Sequence, residues 1–141
     1  MIVSVRFQML HPDAKLPRKS TDGSAFYDVY SCENNEVPSH SIVPIRTGIK
    51  VKPTVGWFLD VRPRSGLAKK GITLANSPGV IDSDYTGELI LLVHNTGKQP
   101  YAVSIGDRVA QMAIFESHQI RFIESHIGDS SEHLGFGSTG R

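Results

Sequence analysis

Short runs of β-branched and aromatic residues recur along the chain, separated by clusters of proline, glycine and asparagine. This rhythm predicts many short strands joined by tight reversals. Alternation is clearest in GIKVKP, where Ile49 and Val51 take turns with Lys50 and Lys52, and in WFLDVR, where Trp57, Leu59 and Val61 alternate with Phe58, Asp60 and Arg62. A period of two sends successive side chains to opposite faces of a strand. IVSVRF, AFYDVYS, ELILLVHN, PYAVSI, RVAQMAIF and QIRFIES read as further strands. No stretch of ten or more residues carries a clean 3.6-residue apolar period. The one expected helix is SGLAKKG, about one and a half turns, with Ser65 as its N-cap and Gly71 as its stop. The pattern predicts an all-β barrel or sandwich with one short helix. From Gly128 onward the apolar pattern is lost. Residues 1–127 therefore read as one β domain and 128–141 as a flexible C-terminal arm.

A length of 141 residues suits one domain with a sizeable core and is short for two. The formal charge of +1 gives no global reason to expect attraction to nucleic acid or membrane, so any charged ligand must be met locally. Cys32 is the only cysteine and cannot form an internal disulfide, which fits a reducing compartment. The start, MIVSVRFQML, is interrupted by Arg6 and Gln8 and has no small-residue cleavage site, and the longest apolar run is LILLV at 89–93. No membrane segment is expected, and the cytoplasm is the expected location.

Three segments bring chemistry-bearing residues together. In RPRSGLAKKG, Arg62 and Arg64 precede Ser65 and the unpaired N–H groups of Gly66 and Leu67. That is an anion site, or equally an ordinary capped helix with solvated arginines. NSPGVIDSDYTGELILLVHN reads as a hairpin with Asp82, Asp84 and Tyr85 at its bend, residues that also favour a turn for purely conformational reasons. GDRVAQMAIF places polar Gln111 inside a strand pattern, where a buried amide needs a partner. The C-terminal GFGSTGR has the G-x-G-x-x-G spacing of a dinucleotide-binding turn, but no helix can follow it to hold a pyrophosphate. The six histidines and single cysteine show no close metal-ligand spacing, and neither a Walker P-loop nor a G-x-S-x-G elbow is present.

In order, AFYDVYS (25–31), RPRSGLA (62–68), NSPGVIDSDYTGE (76–88), GDRVAQM (106–112) and GFGSTG (135–140) resemble the five motifs of the trimeric dUTPase family. The resemblance runs nearly the whole chain. It implies a β-jelly roll with one short helix, and hydrolysis of dUTP to dUMP and pyrophosphate by water attack on the α-phosphorus. Asp82 matches the family's catalytic aspartate, which orients and deprotonates that water. Arg64, Ser65, the Gly66 amide and Gln111 match the groups that meet the triphosphate, with Mg²⁺ bridging phosphate oxygens. Asp28 matches a first-motif aspartate acting on magnesium through water. Uracil would be read by Asn76 and by main-chain groups around Gly79, Val80, Ile81 and Ile90, and Tyr85 would pack beneath the deoxyribose. Phe136 would stack on the base while Gly137, Ser138 and Thr139 wrap the phosphates. A homotrimer with shared sites is the implied assembly.

Two positions depart from the family pattern. Ser131 stands where the fifth motif carries an arginine, so His133 or Arg141 is expected to substitute. Phe26 stands where the first motif usually has a small glycine. The competing expectations are a related dCTP deaminase, which carries a glutamate in a differently shaped hairpin, and a non-catalytic binder retaining the scaffold.

Overall fold

The computed structural model describes residues 1–128, and the expected arm lies almost wholly outside them. Eleven strands and one helix follow in the order β1 (Val5–Met9), β2 (Tyr27–Tyr30), β3 (Asn35–Val37), β4 (Ser41–Arg46), β5 (Ile49–Pro53), β6 (Trp57–Pro63), α1 (Ser65–Ala68), β7 (Ile72–Leu74), β8 (Gly79–Ile81), β9 (Ile90–Asn95), β10 (Tyr101–Val103) and β11 (Arg108–Glu116). All pairings are antiparallel. Their orders are β2-β11-β6-β8, β4-β9-β7, β1-β5 and β10-β3. This is the expected all-β jelly roll with one short helix.

The apolar half of each alternating strand points inward. Ile49 and Val51 of β5, Leu59 and Val61 of β6, Leu91 and Val93 of β9 and Ala110 and Met112 of β11 form one buried cluster. Buried polar side chains are paired: the Thr47 hydroxyl donates to the Leu89 carbonyl at 2.6 Å, and the Asn95 amide to the carbonyls of Val37 and Gln99. Cys32 is free and buried, and burial pushes its thiol pKa up. The corner between β4 and β5 turns on Gly48 at φ +72°. A Cβ there would meet the side chains of His11 at 2.7 Å, Ala14 at 2.9 Å and Cys32 at 3.0 Å, so this corner admits only glycine.

The alternation misplaces four features. QIRFIES forms no strand: Ile120, Phe122 and Ile123 are 73%, 90% and 78% exposed, and among the described residues no strand pairs with them. β4 was missed because Pro44 interrupts its pattern, and β3 and β7, at three residues each, are too short to show a period. The helix covers only Ser65–Ala68, with Arg64 rather than Ser65 in the N-cap position and Lys69 in the C-cap position. Finally, the expected hairpin around Asp82 is not a ladder. β8 pairs with β6, whereas β9 pairs with β4 and β7. Each flank is committed to a different sheet, β8 by its ladder with β6 and β9 by its ladders with β4 and β7, so residues 82–89 form a loop that crosses from one sheet to the other.

Truncating Leu91, which is 2% exposed at the centre of the core, should cost about 2–5 kcal/mol. Chemical denaturation of Leu91→Ala should show a lower midpoint with an unchanged slope.

Candidate functional site

The site's residues gather in two groups, each placed by a different part of the fold. The first is built on β11. Its pairing with β2 sets Gln111 opposite Asp28, and its pairing with β6 sets Gln111 opposite Arg62. Asp28 is 9% exposed and heavily partnered. The Ser20 hydroxyl donates to its Oδ2 at 2.6 Å, Arg64 Nε lies 3.6 Å from Oδ1, and Arg108 Nη1 lies 3.7 Å from Oδ2. Arg64 also donates to the Arg108 carbonyl at 2.9 Å, and the Gln111 amide donates to the Pro63 carbonyl at 2.9 Å. Asp28, Arg64 and Gln111 are therefore brought together as expected, and Ser65 and Gly66 follow at the exposed start of α1. Among the described residues the Ser65 hydroxyl makes no hydrogen bond, which leaves it and the Gly66 N–H open to an anion, whereas the Leu67 N–H, expected to be unpaired, donates to the Arg64 carbonyl at 3.2 Å.

Arg108 and Ser20 were not anticipated. A bulge between Arg108 and Ala110 breaks the alternation, so counting back from Gln111 by twos points to the wrong residues. Opposite Asp28 and Tyr30, Gln111 and Arg108 share one face despite being three positions apart.

Phe26 now has a physical account. Its ring lies 6.2 Å from that of Phe115 and 5.4 Å from the Arg62 guanidinium, on the outer side of the sheet. Phe115 continues the stack to Phe58 at 5.9 Å. Arg62 is not a free cation: it forks onto Asp60 at 2.8–3.1 Å, and these hydrogen bonds raise its pKa above the ordinary arginine value.

The second group surrounds the place where β8 and β9 part. A narrow slot there is lined by Val61, Leu74, Asn76, Gly79, Ile81, Leu89, Ile90 and Leu91. It collects Asn76, Gly79, Ile81 and Ile90 of the expected base-reading set. Val80 is 55% exposed and does not line it, so only its main chain is available to such a role. Beyond the slot, Asp82 is exposed, and its carbonyl accepts the Tyr85 N–H at 3.1 Å to close a turn. Tyr85 is 40% exposed and donates its hydroxyl to the Glu88 carbonyl at 2.7 Å. Its ring folds over Gly87, where a Cβ would come within 2.5 Å of the hydroxyl oxygen. A cleft of about 460 Å³ on the other flank of Tyr85 is lined by Arg6, Lys50, Lys52 and Thr86 among others.

Among the described residues no hydrogen bond or ion pair joins Asp82 or Tyr85 to Arg64, Ser65 or Gln111. No three His, Cys, Asp or Glu side chains among them come together as a metal cage, and no described helix is long and apolar enough to cross a membrane. Ser131, His133, Phe136, Gly137, Ser138, Thr139 and Arg141 lie outside the described residues.

Comparison with known proteins identifies the family. The dUTPase family profile matches residues 12–140. A deoxyuridine 5'-triphosphate nucleotidohydrolase of Helicobacter pylori is 36% identical, over 98% of this chain and 97% of its own length. The same-named protein of Fusobacterium nucleatum is 40% identical over 90% of each chain. Among solved structures, a Staphylococcus bacteriophage 80alpha dUTPase with dUPNHPP superposes with a TM-score of 0.84 at 21% identity, covering 98% of this chain and 99% of its own. A D95N dUTPase from phage phi11 of S. aureus, described with a structural Mg(II) ion, gives 0.79 at 20% identity, covering 90% and 99%. With a family profile spanning almost the whole chain and relatives matching end to end, the chain belongs to the dUTPase family and is an enzyme of that family.

Proposed function

We propose that the chain hydrolyses dUTP to dUMP and pyrophosphate, supplying dUMP and keeping dUTP out of the nucleotide pool. The observation that carries this reading is the exposed Asp82 carboxylate at the first turn beyond an aliphatic slot that also presents Asn76 and Gly79. With uracil in the slot, Asn76 and the main chain of Gly79, Val80, Ile81 and Ile90 read its edge. A cytosine edge would leave buried groups unpaired, at about 1–3 kcal/mol each. Tyr85, fixed over Gly87, packs beneath the deoxyribose and leaves no room for a 2′-hydroxyl.

Asp82 holds a water in line with the α-phosphorus and takes its proton. A bond forms from the water oxygen to phosphorus, the bond to the bridging α–β oxygen breaks, and pyrophosphate leaves. Charge on the triphosphate is met by Arg64, the Ser65 hydroxyl, the Gly66 amide and the Gln111 side chain. Phe136 stacks on the base, and Gly137, Ser138 and Thr139 close over the phosphates. The residues present fit Mg²⁺ carried on the nucleotide. Asp28 is committed to Ser20, Arg64 and Arg108, so it suits a contact through a water of the ion's shell, and Mg²⁺ commonly keeps several waters. When bound, the ion neutralises phosphate charge.

The antiparallel register of β8 on β6, with Gly79 opposite Val61 and Ile81 opposite Leu59, directs Asp82 away from the Arg64 end of β6, which supports a site completed between copies of the chain, with a homotrimer as the assembly. The exposed apolar residues Ile120, Phe122, Ile123 and Ile127 support the same view, as does an apolar groove of about 290 Å³ lined by Val3, Val5, Phe7 and Leu16 among others.

Pyrophosphate release should be observed from dUTP, and far less from dCTP and UTP. Asp82→Asn should lower kcat by about 10²–10⁴-fold, the usual worth of a positioned general base. A wild type that leaves dUTP intact would remove this proposal. Asp28→Asn leaves Arg64 and Arg108 without their shared carboxylate and should lower stability by about 1–3 kcal/mol, read as a reduced Tm. Equilibrium sedimentation should give a mass of three chains, and a monomer that turns over dUTP would refute the shared site.

A further inference from the structure

A loop between two sheets has no ladder of its own, so something else must hold residues 82–88. The holding groups all come from the β4–β5 corner. Arg46 forks onto the Glu88 carboxylate, with Nε at 3.1 Å from Oε2 and Nη2 at 3.0 Å from Oε1. The Gly48 N–H donates to the same carboxylate at 3.3 Å. At the other end of the loop, Lys52 Nζ donates to the Ser83 carbonyl at 2.7 Å, next to Asp82. Between these tethers the hydrogen bonds of the described residues run within the loop, from the Tyr85 N–H to the Asp82 carbonyl and from the Tyr85 hydroxyl to the Glu88 carbonyl. The residue that fixes Tyr85 is thus the residue that Arg46 grips.

We infer that Arg46 and Lys52 are positioning residues for the reaction, Arg46 by setting the sugar platform through Glu88 and Lys52 by setting the turn that carries Asp82. The inference rests on the function proposed above, because it concerns the same loop. Arg46 and Lys52 belong neither to the lining of the slot nor to the cluster around Asp28. Their effect passes through the loop backbone. A bidentate arginine–carboxylate pair fixes direction as well as distance, and a small shift of the Tyr85 ring opens space where a 2′-hydroxyl would sit. Losing Arg46 should therefore weaken the distinction between deoxyribose and ribose more than it weakens the reaction itself. Losing Lys52 should slow turnover with little change in sugar preference.

The test uses full-length wild type, Arg46→Gln, Arg46→Lys, Glu88→Gln, the Arg46→Gln/Glu88→Gln double variant and Lys52→Met. The readouts are kcat and KM for dUTP and UTP, with circular dichroism and thermal unfolding to establish that each variant is folded. Arg46→Gln should lower the ratio of kcat/KM for dUTP over UTP by about tenfold, mostly by admitting UTP. The double variant should be no worse than either single one, since both remove one pair. Arg46→Lys keeps the charge without the fork and should fall between wild type and Arg46→Gln. It also carries the test if Arg46→Gln does not fold. Lys52→Met should lower kcat about tenfold with the sugar ratio retained. Folded Arg46 variants with the wild-type sugar ratio, or a folded Lys52→Met with wild-type kcat, would overturn the inference. A wild type without dUTP turnover would instead overturn the function on which it rests.

Discussion

The pairing of β11 on both of its edges is the constraint from which the cluster of Asp28, Arg64, Arg108 and Gln111 follows. One edge takes β2 and the other takes β6. Three segments far apart in sequence thereby become neighbours: the one carrying Asp28, the one leading to Arg64 and Ser65, and the one carrying Arg108 and Gln111. The hydrogen bonds that close the group run mainly to main-chain carbonyls, those of Pro63 and Arg108. Their geometry is inherited from the sheet. Long polar side chains are held in place with little left to their own rotamer freedom.

The other half obeys the opposite logic. β8 and β9 belong to different sheets, and the gap left where they separate is the slot. Its walls are largely aliphatic, with Asn76 and Gly79 among them. The loop beyond it is polar and exposed, and it is tied to the scaffold from outside. A narrow slot and an accessible carboxylate thus lie side by side because one strand end is built into the core and the following residues are not.

Much of this was visible in the residues alone. Alternation placed β5, β6, β9 and β11, and motif order placed Asp28, Arg64, Gln111 and the Asp82 segment. What failed did so for definable reasons. β4 is disguised by Pro44, and three-residue strands are shorter than the pattern that would reveal them. QIRFIES has strand composition, but pairing requires a neighbour, which is a property of the surroundings rather than of the segment. The hairpin expectation failed because turn residues between apolar flanks say that the chain reverses, not which strands its flanks will join. Arg46 and Lys52 carry no motif signal, and although Glu88 closes the third motif nothing there names its partner, since a contact between residues 42 apart depends on how a corner and a loop happen to meet.

The bulge in β11 has a bearing on how this chain can vary. Val109 and Ala110 together oppose Val29, and both are buried, at 3% and 0% exposure. That extra residue is what turns the Arg108 guanidinium outward beside Asp28. Regular pairing of the same residues, with the bulge ironed out and none removed, would put Arg108 on the face opposite Gln111 and swing a permanent positive charge toward the hydrocarbon interior. In this strand an irregularity is as much a part of the chemistry as any side chain, so Val109 is open to replacement only where the two-against-one pairing survives.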